Sequence, residues 1–122
     1  MKSASPYIFI DNCQQVMKHY QSILGAEIKN IQKSEDGKCL HAELHVGESI
    51  IHFSDTFGKT AQGDHIRISL ECESEEEIRR VYQLLSAHGT VTVELQDTFW
   101  GAVHANFIDQ FGVGWLLNYQ KQ

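Results

Sequence analysis

The residues of this chain best suited to chemistry lie close together in its first half. His41, Glu43 and His45 alternate with apolar neighbours, and His52 follows after a Gly47-Glu48 pair. Imidazole nitrogens and a carboxylate oxygen suit zinc and other divalent ions, and a carboxylate beside a histidine can also work as a general base. The His41-x-Glu43-x-His45 spacing is that of a strand, unlike the helical H-E-x-x-H of zinc proteases. Whether these side chains meet depends on the hairpin. If Gly47-Glu48 is a two-residue turn, Val46 pairs with Ser49 and Glu43 lies opposite His52. His41, Glu43, His45 and His52 then share one sheet face with Ile50 and Ser54, whereas a three-residue turn breaks that register. The same pattern also describes an ordinary polar sheet face open to water.

Outside this cluster the signals are sparser. Arg67 can meet an anionic group through paired hydrogen bonds, or it can sit at the surface with Glu71. Trp100, Trp115 and Tyr119 read first as core packing. Cys13, Cys39 and Cys72 form neither a C-x-x-C pair nor an even set, which points to reduced thiols inside strands and helices. The sequence has no glycine-rich phosphate loop, nucleophile elbow or zinc-finger spacing.

The elements that must position these residues follow from periodicity. Tyr7 to Ile10 reads as a short strand, after which Asp11 or Asn12 can cap a helix. Cys13, Val16, Met17, Tyr20, Ile23 and Leu24 fall on one helical face, and Gly25 is placed for a left-handed cap. Strands are expected over roughly Glu27–Lys33, Lys38–Val46 and Ser49–Ser54, with Leu40, Ala42, Leu44 and Val46 turned inward. The polar and small residues of Asp55–Asp64 read as a connection. The order then begins again: a strand over His65–Cys72 with Ile66, Ile68, Leu70 and Cys72 inward, and a helix opened by the Ser74–Glu77 capping box. Ile78, Val81, Tyr82 and Leu85 give that helix its buried stripe, and strands Thr90–Leu95, Ala102–Ile108 and Val113–Tyr119 follow. A shift of 62 residues lays Val16 on Ile78, Tyr20 on Tyr82, Gln21 on Gln83 and Ile23 on Leu85. The pattern is an internal duplication of strand-helix-strand-strand-strand.

Bulk properties narrow the function class. The 122 residues are 42% hydrophobic and 21% charged, as in a folded globular chain. A net charge of −6 with only 10 Lys and Arg argues against a nucleic-acid partner. No apolar run approaches the roughly 20 residues needed to span a bilayer. The first residues lack the apolar stretch of a signal peptide, so a cytoplasmic location is expected.

The duplicated order resembles the vicinal oxygen chelate superfamily of glyoxalases, ring-cleaving dioxygenases and bleomycin- and fosfomycin-resistance proteins. It is similar in particular to the PhnB-like branch, often labelled as demethylubiquinone methyltransferase-like. The stretches that carry the resemblance are Pro6-Tyr7-Ile8-Phe9-Ile10 with Tyr20, Leu24-Gly25-Ala26-Glu27, and His41-Ala42-Glu43-Leu44 through Ser54-Asp55. In the second half they are Phe99-Trp100-Gly101-Ala102 and Asp109-Gln110-Phe111-Gly112-Val113 with Trp115. The resemblance implies an α+β fold of two tandem βαβββ modules, about 5–55 and 64–120, within one superfamily domain over 1–122. It further implies sheets curled around a cleft, and a homodimer. Metal-dependent members place ligands on the first and fourth strands of each module, which here correspond to Ser5, His52, Arg67 and Leu116. Only His52 among these can ligate a divalent ion well, so neither a metal nor a cofactor is expected. Methyl transfer is not expected either, because the chain lacks both the glycine-rich loop and the alternating strand-helix order such chemistry usually uses.

The expected function is therefore binding of a small organic molecule, anionic or aromatic. Tyr7, Phe9 and Trp100 would stack, Arg67 would meet a negative group, and His41, Glu43 and His52 would supply hydrogen bonds. The alternative is an enzyme of the same superfamily, a lyase, dioxygenase or resistance transferase, using a displaced metal on His41, Glu43 and His52.

Overall fold

The computed structural model describes residues 1–58, 63 and 65–121. The chain divides into two compact units, Met1–Ala61 and Gln62–Gln122. The first runs β1 (Tyr7–Phe9), α1 (Cys13–Leu24), β2 (Glu27–Lys33), β3 (Cys39–Val46) and β4 (Ser49–Ser54). The second runs β5 (Ile68–Glu71), α2 (Glu75–Leu85), β6 (Thr90–Asp97), β7 (Ala102–Ile108) and β8 (Gly114–Gln120). Each unit is a βαβββ module with one four-stranded sheet, ordered β1-β4-β3-β2 in the first and β5-β8-β7-β6 in the second. The first strand of each module pairs parallel to the last, and the other pairs are antiparallel. The α+β duplication is as expected.

One helix covers one face of each sheet. In the first module Cys13, Val16, Met17, Tyr20 and Ile23 of α1 are buried together with Ala42, Leu44, Ile51 and Phe53 of the sheet. The Tyr20 and Phe53 rings lie 5.9 Å apart. In the second, Ile78, Val81 and Leu85 of α2 are buried with Val103, Ala105, Phe107, Trp115 and Leu117. Trp115 is fully buried, as expected of a core residue, whereas Trp100 is 53% exposed and stands edge-on to the exposed Phe99.

The helix termini show which local signals governed. Gly25 closes α1 at φ +64°, a conformation in which a side chain is strained. Ser74 caps α2 by accepting from the Glu77 N–H at 3.0 Å, while the Glu77 carboxylate accepts from the Glu73 N–H at 2.9 Å. The expected cap of α1 by Asp11 or Asn12 is not formed. Asn12 adopts φ +57° with no side-chain cap, and Asp55, from beyond β4, accepts the Cys13 N–H through Oδ1 at 3.0 Å. The other oxygen of Asp55 accepts the Cys39 N–H at 2.7 Å, so one carboxylate ties the start of α1 to the start of β3.

Two strands depart from simple alternation. The expected strand His65–Cys72 begins only at Ile68, and Ile66 is 76% exposed instead of facing the core. In β3, Lys33 pairs with Cys39 and Gln32 with His41, which leaves Leu40 as the extra residue of a bulge. A one-residue insertion reverses the sides on which residues fall, so Cys39 is buried and Leu40 is 46% exposed, contrary to the sequence expectation. All three cysteines are free thiols and buried. Part of the Asp55–Asp64 connection lies outside the described residues.

Candidate functional site

The two-residue Gly47-Glu48 turn sets the register of the site. Val46 pairs with Ser49, His45 with Ile50 and Glu43 with His52. Beyond the bulge the alternation of β3 turns Ala42 and Leu44 to the helix and His41, Glu43 and His45 to the other face. β1, parallel to β4, brings Tyr7 beside His52. Five of the side chains expected from sequence, Tyr7, Phe9, His41, Glu43 and His52, thus meet with His45 on the face of the first sheet opposite α1.

Their contacts are close and specific. His41 Nε2 and His52 Nδ1 lie 2.8 Å apart in a hydrogen bond, one ring nitrogen donating and the other accepting. The Tyr7 ring lies 5.8 Å from each imidazole and nearly parallel to that of His52, at 9°. Phe9 extends the stack at 4.7 Å from Tyr7. Tyr7 and Phe9 are both exposed, at 44% and 55%, although large aromatic surface is ordinarily buried. Glu43 Oε1 accepts from His45 Nε2 at 2.8 Å and from Asn30 Nδ2 at 2.9 Å. These hydrogen bonds, that to His45 first, hold the Glu43 carboxyl below the usual carboxylate range, with the His45 and His52 charges adding to the effect. One ligand atom from each of His41, Glu43 and His52 falls within 4.8 Å of the others.

Asn30 escaped the sequence reading. It sits at φ +56° in β2, where the register slips between Lys29 and Gln32. Asn tolerates this left-handed conformation better than most residues, and the resulting bulge aims its amide at Glu43. The available signal was an Asn inside a β-rich stretch, where that residue is disfavoured.

The other two expected residues belong to the second module. Arg67 precedes β5, and its Nη1 donates to Thr92 Oγ1 at 3.1 Å and also to Asn106 Oδ1. Its aliphatic stem lies where a side chain at Gly114 would stand, 2.8 Å from the place of a Cβ. Trp100 occupies the β6–β7 connection. A cavity of about 510 Å³ beside the start of α1 is lined by Asp11, Asn12, Cys13, Asp36, Lys38 and Asp55 among others, and its carboxylate Asp55 is already committed to the backbone.

A family model described as the Glyoxalase/Bleomycin resistance protein/Dioxygenase superfamily matches residues 4–117. The chain belongs to that superfamily. It is 30% identical to protein YjdN of Escherichia coli K12, over 97% of this chain and 95% of that one. Its fold is similar to that of protein PA1353 from Pseudomonas aeruginosa, with a TM-score of 0.88 at 27% identity and full coverage of both chains. It is also similar to a Bacillus cereus PhnB protein described as a putative 3-demethylubiquinone-9 3-methyltransferase, with a TM-score of 0.86 at 20% identity, over 97% and 99% of the two chains. PhnB-like proteins are thus among its structural neighbours.

Membership does not bring a fitting four-position metal site. Of Ser5, His52, Arg67 and Leu116, Leu116 has no lone pair, and Arg67 is a fixed cation whose guanidinium is held by Asn106 and Thr92. No helix among the described residues is long and apolar enough to cross a membrane.

Proposed function

We propose that this protein binds a small organic molecule, aromatic or anionic, on the face of its first sheet opposite α1. The observation that carries the proposal is the continuous stack of Phe9, Tyr7, His41 and His52. It gives a planar ligand two exposed aromatic faces beside imidazole and carboxylate hydrogen-bonding groups, the usual mixture of a ligand site. Glu43 is the polar partner for a ligand N–H or O–H. In the second module Arg67 would meet a negative group and the exposed Trp100 would offer a stacking surface. We place this function in a cytoplasmic homodimer.

The test is a thermal-shift and fluorescence screen of aromatic carboxylic acids and neutral aromatic compounds in buffer containing EDTA. Tyr7→Ala should weaken any ligand found by about 2- to 10-fold, the worth of one lost stacking contact of about 0.5–1.5 kcal/mol. A ligand that binds Tyr7→Ala and His52→Ala as well as it binds the parent protein would refute the assignment of this face. Size-exclusion chromatography with light scattering checks the dimer. The second reading, a superfamily enzyme with a displaced metal, is favoured by the approach of His41, Glu43 and His52 within 4.8 Å.

A further inference from the structure

We propose that His41, Glu43 and His52 hold one divalent first-row transition ion, in a site built wholly within the first module that shares only His52 with the four family positions. Three features carry the proposal. First, the donor atoms converge: all lie within 4.8 Å of one another on adjacent antiparallel strands, with Glu43 directly opposite His52. Second, the two imidazole nitrogens already face each other across 2.8 Å, sharing one hydrogen. Metal–nitrogen bonds of about 2.0–2.1 Å at a tetrahedral angle place two such nitrogens about 3.3 Å apart, so the rings need to open by only about half an ångström. The ion takes the place of the shared hydrogen, and the donor ring switches tautomer through exchange with solvent, carrying its proton on the other ring nitrogen so that both imidazoles bind as neutral ligands.

Third, the carboxylate is held from behind. The hydrogen bonds from His45 and Asn30 both fall on Glu43 Oε1, which leaves Oε2 as the ligating oxygen. Such outer partners fix the orientation of a ligand, and Asn30 occupies its position only through a left-handed residue in a strand bulge. Two imidazoles and one carboxylate favour zinc, cobalt, nickel or iron over magnesium and calcium, which prefer all-oxygen sets. Three protein ligands leave coordination positions open on the face that Tyr7 and Phe9 line, so an oxygen-bearing ligand could reach the ion directly. The metal site does not depend on the organic ligand, whose binding is measured with the ion chelated.

Untagged full-length protein, stripped with chelator and dialysed, is titrated with Co²⁺ and followed by its d–d absorption and by calorimetry, then back-titrated with Zn²⁺. The expected result is one equivalent of Co²⁺ with bands that Zn²⁺ removes. His41→Ala, Glu43→Gln and His52→Ala should each abolish the bands. Asn30→Ala and His45→Ala should weaken binding by about 10- to 100-fold, as loss of an outer partner does. His65→Ala, an exposed histidine elsewhere, should bind like the parent. Circular dichroism verifies the fold of each variant, and His41→Gln replaces His41→Ala if the latter unfolds. Absence of saturable binding in the parent overturns the proposal, as does binding that survives His41→Ala, Glu43→Gln or His52→Ala, or that is lost with His65→Ala. Aromatic ligands that bind in EDTA to a protein that takes up no Co²⁺ would separate failure of this site from failure of the organic-ligand reading.

Discussion

The two modules share a frame and differ in what they put on it. In the first sheet β1 places Tyr7 beside His52, and β3 places Glu43 opposite His52. In the second sheet β5 places Ser69 beside Leu116, and β7 places Asn106 opposite Leu116. The pairings correspond strand for strand, so His52 and Leu116 occupy like positions, as do Glu43 and Asn106. Each of these acceptors is gripped by a neighbouring donor: Glu43 by Asn30 and His45, Asn106 by the Arg67 guanidinium. The helix-facing sides need apolar residues in both modules, because both must bury a helix. The faces away from the helices are under no such demand: where the first module has His41, Glu43 and His52, the second has His104, Asn106 and Leu116, with Arg67 bonded to Asn106 and Glu71 to Asn118. The duplicated frame thus keeps an apolar helix side in both modules, while the residues on the opposite faces differ.

The shared frame can be attacked first, where the effects are largest. Each module is pinned by one aspartate. Asp109 is almost fully buried and accepts from the Phe111 and Val113 N–H groups through Oδ1, and from Trp115 Nε1 at 2.8 Å through Oδ2. Removing it leaves a buried indole N–H without its acceptor, so Asp109→Ala should cost about 3 kcal/mol. Asp55 performs the parallel task for α1 and β3 but is less buried, and Asp55→Ala should cost about 2 kcal/mol. Urea denaturation followed by Trp fluorescence measures both. If Asp55→Ala proves the costlier, the depth of burial does not rank the two pins.

The divergent face can be broken by transplantation. Glu43→Asn with His52→Leu gives the first module the residues that the second carries at those positions. The double variant should lose Co²⁺ and ligand binding by at least about 100-fold, because a carboxylate and an imidazole are both replaced. Its stability should stay within about 1 kcal/mol of the parent, since both residues lie on the face away from the helix. Calorimetry and thermal melting separate the two outcomes, and a collapse of stability would show that these residues belong to the frame after all.

How much of this was legible in the sequence follows from the range of each interaction. The helices, the capping box of α2 and the Glu43–His52 register all arise from local signals (apolar spacing, Ser74 with Glu77, and the Gly47-Glu48 turn), and the duplication is the recurrence of such local patterns 62 residues on. The cap of α1 was not legible, because Asp55 reaches it from 42 residues further along the chain. Nor was the bulge at Leu40, which exists only relative to the partner strand β2. The stack on Tyr7 needed the parallel pairing of β1 with β4, again a long-range fact. The bulge supplies a smaller prediction. Leu40→Lys should change stability by no more than about 0.5 kcal/mol, whereas Leu44→Ala, only four residues away, should cost about 2–5 kcal/mol. A large loss from Leu40→Lys in chemical denaturation would restore the simple alternation expected from sequence.

The smallest effect belongs to an ion pair at the edge of the second sheet. Lys121, just beyond β8, approaches Asp97 Oδ1 at 2.6 Å at the end of β6, and Glu75 Oε1 at 3.8 Å. The hydrogen bond and charge of Lys121 hold the Asp97 carboxyl below its ordinary range, and the same contacts with Asp97 raise the Lys121 ammonium. A lowered acid stabilises the fold above its unfolded titration range, and that stabilisation is lost as pH falls through the folded value. A raised base stabilises below its unfolded range, and that contribution is lost as pH rises through its folded value. The pair therefore contributes on the plateau between the two titrations and fades at both ends. Both side chains are open to water, so the contribution is small and screened by salt. Asp97→Asn should lower the melting temperature slightly at neutral pH and low ionic strength, and the difference should vanish in acid or in molar salt. A difference that persisted in acid would mean that Asp97 acts through its shape and not its charge, and that the edge of the second sheet is held by packing.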